Sequence, residues 1–409
     1  MSTLITFALF VIALPFVAAA LYLALLALLA LLPTRPSQRA ARSLRRFVLL
    51  IPARNEASRL PALAASIRAL NYPPRLVSVL IVADNCTDDT AEVARAVGFH
   101  VYERTDDTQI GKGYALAYGL AQITEPYDAV VFIDGDCTVS ASMLQAFNQR
   151  LDGGAEAVQA YYTMRADGES STQAARGLAL ALVHLVRPLG KQRVGASAGL
   201  KGSGMCLTKR VVDTLGWNAF GLAEDIEQHV RLLQLGVPVA FARDAVVVGA
   251  APRSLSGARE QHRRWEAGRV AAARRMALPL LADGVRRRSL ASIDAGIELL
   301  VPPLSILSAV LAVLFLAGVL LGSPVVAAAA GIGGAGLAVY LAAGFALQGL
   351  GWRRTLSALT SLPVFAAWKI GVYVQALIWK PRGWEATQRD EREPVAPSAL
   401  PGGGTDDGS

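Results

Sequence analysis

Two uncharged stretches, Leu4 to Leu32 and Leu299 to Trp352, bracket a middle segment in which acidic and basic residues return. An α-helix needs about 20 apolar residues to cross the hydrocarbon core of a bilayer, so the first stretch is read as one membrane span. A cleaved signal peptide would begin with basic residues and carry a shorter apolar core. Here Met1, Ser2 and Thr3 precede the run, which is therefore expected to be an uncleaved anchor. The second stretch is broken by Gly322, Ser323 and Pro324, a turn signal, and reads as a hairpin of two spans. A third run, Thr355 to Ile378, carries Lys369 near its middle. A charge at mid-bilayer costs about 2.5–3.5 kcal/mol, which favours an interfacial helix and leaves a further span open.

Orientation follows from the arginines. Arg35, Arg39, Arg42, Arg45 and Arg46 follow the first run, Arg286 to Arg288 precede the second, and Arg353 and Arg354 follow it. Cytoplasmic flanks are enriched in Lys and Arg, so the middle segment is expected in the cytosol and the protein in the cell (inner) membrane. The expected division is an anchor over 1–33, a cytosolic domain over 34–295, a membrane hairpin over 296–352, an interfacial helix or span over 353–385 and a flexible tail over 386–409. The net charge of +8 tracks the span ends. With no basic–aromatic recognition motif beside it, nucleic acid is not an expected partner. Cys86, Cys137 and Cys206 show no CxxC spacing, which suits a reducing compartment and small buried side chains rather than structural zinc.

Inside the middle segment, residues 47–52 (FVLLIP), 77–83 (VSVLIVA) and 129–134 (AVVFID) are continuous apolar runs followed by turn signals. Helical patterns fill Thr87 to Val97, with Thr87 as its expected cap, and Gly113 to Gln122. Buried runs alternating with helices predict an α/β fold with a mostly parallel sheet covered on both faces. In such sheets ligands bind beyond the carboxyl ends of the strands. Those ends carry Glu56, Asp84, Asp134 and Asp136. Acids gathered on one rim repel unless a cation joins them, and a short D-x-D suits Mg2+ or Mn2+, which leave positions for water and phosphates. A solvated turn is the plain alternative for any one of these acids.

The stretches IPARNE, ADNCTDDT, GKGYALAYG, IDGDC, LAEDIE and QHRRW occur in this order between residues 47 and 275. In that order and spacing they resemble family 2 inverting glycosyltransferases, most closely the membrane-embedded branch that includes cellulose, chitin-oligosaccharide and poly-N-acetylglucosamine synthases and ceramide glucosyltransferase. The resemblance implies a GT-A, Rossmann-like domain. It implies that Glu56, Asp84, Lys112, Asp134 and Arg264 bind a nucleotide-diphosphate sugar, a UDP-sugar being favoured, and that Asp134 and Asp136 hold the metal. Asp225 would be the catalytic base, and Glu224, Gln261 and Trp265 would meet the acceptor. Two departures stand out: Ala83 replaces the acid that precedes Asp84 in the family pattern, and Ala223 precedes Glu224 and Asp225.

Bland readings exist beside these. Lys112 could simply start a helix, Glu224 and Asp225 could be first-turn acids favoured by the helix dipole, and Trp265 could anchor a helix at the bilayer interface. The stretch KGSGMCL at 201–207 resembles the family's pocket-lining glycine segment or is a tight turn into a strand. Trp384 and Arg389 resemble a Trp-centred loop that folds over the site in some members. His262 is expected at the surface and His184 packed inside the helical run from Thr172 to Leu189. The function expected is β-linkage formation by metal-assisted direct displacement onto a lipid or glycan acceptor held at the lipid bilayer. The alternatives are a processive polysaccharide synthase, a polyprenyl-phosphate sugar synthase and an inactive scaffold or export component. Three or four spans are few for a polymer pore, and the acids a dead enzyme would lose are all present.

Overall fold

The computed structural model describes residues 3–33, 43–164, 171–250, 255–349 and 351–378. Trp384, Arg389 and the glycine-rich tail lie outside the described residues. The chain runs through α1 (Thr3–Leu31), β1 (Phe47–Ala53), α2 (Leu60–Arg68), β2 (Val77–Asp84), α3 (Thr90–Ala96), β3 (His100–Arg104), α4 (Lys112–Ala121), β4 (Ala129–Phe132), β5 (Thr138–Val139), α5 (Met143–Asp152) and β6 (Ala157–Met164). Then come α6 (Ser171–Ala181), a π-helical turn at Leu182–Val186, α7 (Arg187–Arg193), β7 (Met205–Thr208), α8 (Lys209–Leu215), α9 (Glu224–Gln234) and β8 (Val239–Gly249). The last helices are α10 (Leu255–Arg287), α11 (Leu290–Leu300), α12 (Leu304–Leu320), α13 (Pro324–Gln348) and α14 (Trp352–Ile378).

All the strands join one sheet in the order β3-β2-β1-β4-β7-β6-β8-β5. The pairs β2–β3, β1–β2, β1–β4 and β6–β8 are parallel, while β7 runs antiparallel to both β4 and β6 and β5 runs antiparallel to β8. Successive side chains of a strand point to opposite faces, and both faces are covered. Val48, Leu50, Val130 and Phe132 enter a core shared with Leu23 of α1 and Leu189 of α7. Leu49, Ile51, Val131 and Ile133 enter a second core with Leu63 of α2 and Phe147 of α5. Covering on both sides is why these strands read as unbroken apolar runs rather than alternating ones. Leu50 pairs with both Leu80 and Phe132, so the carboxyl ends of β2, β1 and β4 lie side by side.

One of the two cores is thus continuous with the apolar helices. At Gly190 of α7, a Cβ would sit 2.2 Å from the carbonyl oxygen of Leu26 in α1, so only glycine lets these backbones approach. Helices α1, α13 and α14 are each long and apolar enough to cross a membrane. The first arm of the expected hairpin is not straight, because α11 and α12 bend by 67° where Pro302 and Pro303 withhold backbone donors. In α14 the Lys369 ammonium lies 2.7 Å from Glu266 of α10, so the charge that argued for an interfacial position is paired inside the protein. Thr87 does not cap α3. That helix starts at Thr90 with Asp89 before it, and Thr87 is held instead by Asn55, whose side chain accepts from its N–H at 2.8 Å.

Candidate active site

The rim starts at Asp84, the last residue of β2, which is 2% exposed. Directly opposite in register on β3 stands Arg104, which donates to Asp84 Oδ1 at 2.6 Å. Asp84 Oδ2 is buried and makes no hydrogen bond among the described residues. Burial raises the Asp84 carboxyl above its usual range, against the pull of Arg104. The same guanidinium lies over the Tyr114 ring, which stacks on Phe220 with centroids 4.5 Å apart. Glu56 follows β1, and its N–H donates to Thr90 Oγ1 at 2.8 Å. A Cβ on Gly135 would come within 3.2 Å of Ala53 Cβ and 3.5 Å of Glu56 Cβ, so the Asp134-Gly135-Asp136 turn lies against the end of β1.

Lys112 opens α4 and links the rim to the far side of the site. Its ammonium is 2.5 Å from Asp134 Oδ1 and 3.6 Å from Glu224 Oε1, and it donates to the Gly202 carbonyl at 2.6 Å. Burial opposes its charge, but Asp134 and Glu224 together outweigh that and hold it above the ordinary lysine range. Lys112 thus starts a helix and is at the same time the counter-ion of Asp134 and Glu224. A Cβ at Gly113 would fall 2.0 Å from the Ala219 carbonyl oxygen. The small residue there allows close packing of the 219–220 backbone on α4.

Glu224 and Asp225 form the first turn of α9, where backbone N–H groups and the helix dipole favour acids. Asp225 Oδ1 accepts from the Ile226 N–H at 2.9 Å. Its other oxygen faces the 201–204 turn, 3.9 Å from where a Gly202 Cβ would be. Burial raises the Asp225 carboxyl above the usual range, opposed by the Ile226 N–H, Lys112 and Lys201. Burial raises Glu224 as well, with Lys112 opposing and Asp225 adding to it.

Ligand atoms of Asp134, Asp136 and Cys137 all lie within 4.8 Å of one another. Burial first, then the neighbouring Asp136 and Asp134, push the Cys137 thiol well above its usual range. The Asp134 and Asp136 carboxylates supply hard oxygen donors there. That chemistry fits a hard cation such as Mg2+ or Mn2+.

The QHRRW stretch lies on α10. Gln261 is 7% exposed, and its Oε1 makes no hydrogen bond among the described residues. Trp265 is 36% exposed. His262 is not a surface residue. Its ring is wedged edge-on against Trp265 and Trp368, both at 5.2 Å, and its Nδ1 is 3.2 Å from Lys369. Two aromatic neighbours from separate helices cover a residue that the sequence pattern left outside. His184 is packed as expected, its Nδ1 3.2 Å from the Tyr162 carbonyl.

A single cavity of about 1010 Å3 is lined by Glu56, Asp84, Lys112, Asp134, Asp136, Glu224, Asp225, Gln261, Arg264 and Trp265. It continues between the apolar helices, past Pro303, Tyr340, Leu341, Leu362 and Phe365. Several polar residues in or beside the site were not marked by the sequence pattern. Arg104 sits in an unremarkable strand, and Lys201 was visible only as the start of the KGSG turn. Beneath the site, Lys191 of α7 meets Asp294 at 2.8 Å and Glu298 at 2.5 Å, and Arg187 lies 3.4 Å from Glu298. Asp294 and Glu298 border an apolar run, so nothing local marks them as partners of α7.

A sheet with acids at the ends of adjacent parallel strands, and an acid-led helix facing them, is the GT-A form of the glycosyltransferases. Residues 45–268 match the family model described as Glycosyltransferase like family 2, and the chain belongs to that family. It is 31% identical over 125 residues to a 4,4'-diaponeurosporenoate glycosyltransferase of Staphylococcus haemolyticus (strain JCSC1435), a match covering 28% of this chain and 32% of that protein. The protein of the same name from Staphylococcus aureus (strain USA300) is 35% identical over 97 residues, covering 23% of this chain and 24% of its own. The chain thus spans a third or less of the length of these curated relatives. Its fold is similar to that of the mannosyltransferase PcManGT from Pyrobaculum calidifontis, solved in complex with GDP-Man and Mn2+, with a TM-score of 0.56, 19% identity and coverage of 90% of this chain and 99% of that one.

Proposed function

We propose that this family 2 glycosyltransferase is an inverting enzyme of the membrane surface, moving a sugar from a nucleotide-diphosphate donor to an acceptor held by the bilayer. The observation that carries the reading is the single cavity in which the strand-end acids, Lys112 and Asp225 meet and which then continues between apolar helices. Asp84 Oδ2 has no protein partner among the described residues and suits an N–H or O–H donor on the nucleoside. Asp134 and Asp136 would hold the divalent cation, which when bound offsets charge on the leaving diphosphate. Lys112 and Arg264 add cationic side chains on the same cavity wall.

Asp225 accepts the proton of the attacking hydroxyl. Its burial supports that role, because a carboxyl raised above its usual range is a stronger base once ionised. Attack opposite the leaving group makes an α-linked donor into a β-linked product. The structural neighbour was solved with GDP-Man, while the resemblance in sequence favours a UDP-sugar, so both donor types are tested. The experiment is transfer from radiolabelled nucleotide sugars to total membrane lipid by the purified full chain, with and without Mn2+, for the native protein and Asp225→Asn. Donor binding retained with transfer lost in Asp225→Asn is the expected result. Equal turnover by that variant would remove Asp225 from its role, and a ladder of products would favour the processive alternative.

A further inference from the structure

Lys201 lines the same cavity, directly before Gly202, whose carbonyl accepts from Lys112. Its side chain is 13% exposed, and its nearest carboxylate among the described residues is Glu298 at 4.0 Å. That carboxylate is already committed to Lys191 at 2.5 Å and to Arg187 at 3.4 Å. Three cations from α7 and the 201–204 turn, Arg187, Lys191 and Lys201, therefore share two carboxylates, Asp294 and Glu298. Asp225 is also in electrostatic reach of Lys201. His184 and His229 also face this region, and burial holds each down to about 3, so both are neutral. An ammonium taken out of water needs a close counter-charge. Lys191 has one, and Lys201 has only a distant share. Burial accordingly draws Lys201 below the ordinary lysine range, with Glu298 insufficient to restore it.

From this arrangement, and resting on the transferase reading above, we propose that Lys201 binds an anionic head group on the acceptor, a carboxylate or a phosphate, while the acceptor's chain lies in the apolar branch of the cavity. The branch has the chemistry for a chain, with Leu341, Leu362 and Phe365 on its walls. The break between α11 and α12 gives it room. Non-helical backbone at membrane depth is tolerated only where protein buries it or it lines a cavity, and Pro302 and Pro303 do line this one. The Arg269 guanidinium donates to the Val301 carbonyl at 2.9 Å, which holds the break open on the side of α10. The acceptor is thus an amphiphile with one negative charge beside Asp225, not a neutral sugar chain.

The full chain in maltoside micelles can be titrated with dodecanoate, dodecyl phosphate and dodecanol at equal mole fractions, following thermal stabilisation. Binding of a nucleotide sugar with Mn2+ is measured in parallel by calorimetry. At least one anionic amphiphile should bind tenfold or more tightly than dodecanol, and which of the two does so identifies the head group. Lys201→Gln should abolish that preference, Lys201→Arg should keep most of it, and nucleotide-sugar affinity should stay within about twofold in both. Equal binding of dodecanol by the native protein would overturn the proposal. So would a Lys201→Gln protein that keeps the anionic preference or loses nucleotide-sugar affinity, because the lysine would then belong to the donor. A native protein that binds no nucleotide sugar yet prefers the anionic amphiphile would instead refute the transferase reading and leave the head-group site standing.

Discussion

Replacing Lys112 with methionine keeps the length of the side chain and removes a cation that touches both sides of the site. Asp134 at 2.5 Å and Glu224 at 3.6 Å then face each other across the cavity, with Asp225 behind, and the Gly202 carbonyl loses its donor. Removing one partner of a buried ion pair costs roughly 3–5 kcal/mol. The Lys112 side chain is 16% exposed, so water offsets part of this and the lower end, about 3 kcal/mol, is expected. For a domain of this size each kcal/mol moves Tm by about 2–4 °C, which predicts a fall of about 6–12 °C in a thermal melt of the detergent-solubilised protein without metal. The double variant Lys112→Met with Asp134→Asn removes the uncompensated charge and should recover part of the loss. That coupling, read from a double-mutant cycle, isolates the pair. An unchanged Tm in the single variant, or strictly additive effects in the double, would refute the reading of Lys112 as the counter-ion of the rim.

Other perturbations follow from the same geometry. Asp136→Ala should weaken nucleotide-sugar binding in Mn2+ while leaving any metal-free binding in place, and equal affinity with and without Mn2+ in calorimetry of both proteins would remove the cation from Asp134 and Asp136. Asp225 must be ionised to accept a proton, and burial raises its carboxyl. The acidic limb of kcat/KM should therefore lie above the ordinary carboxylate range, with activity lost as pH falls through it, and a limb at ordinary carboxylate values would contradict a buried base. Gly113→Val would press side-chain carbon into the Ala219 carbonyl and should cost about 1–3 kcal/mol, with donor affinity falling as α4 shifts. A melt equal to that of the native protein would show that the 219–220 backbone yields freely. Lys369→Met leaves Glu266 with Arg269 as its one ion-pair partner among the described residues and removes the ion pair that joins α14 to α10. It should raise proteolytic cleavage near 351 in membranes, and an unaltered digestion pattern would count against that pairing.

The sequence alone determined the parts of this protein that depend on local pattern. Apolar runs without charge marked α1, α12 and α13, and unbroken Val/Leu/Ile segments marked β1, β2 and β4 because burial on both faces leaves no polar alternation to read. The strand-end acids and the first turn of α9 were visible for the same reason, since each is fixed by the element it terminates. What only the tertiary structure decided is pairing at a distance. Arg104 meets Asp84 across a strand register, Lys112 meets Glu224 across the cavity, and Lys191 of α7 meets Glu298 of α11. It also decided that His262 is wedged between two tryptophans and that Lys201 lines the cavity with only Glu298 near it among the described carboxylates. Coulombic contacts act across a few ångströms of space whatever the separation along the chain, so no window of sequence contains them.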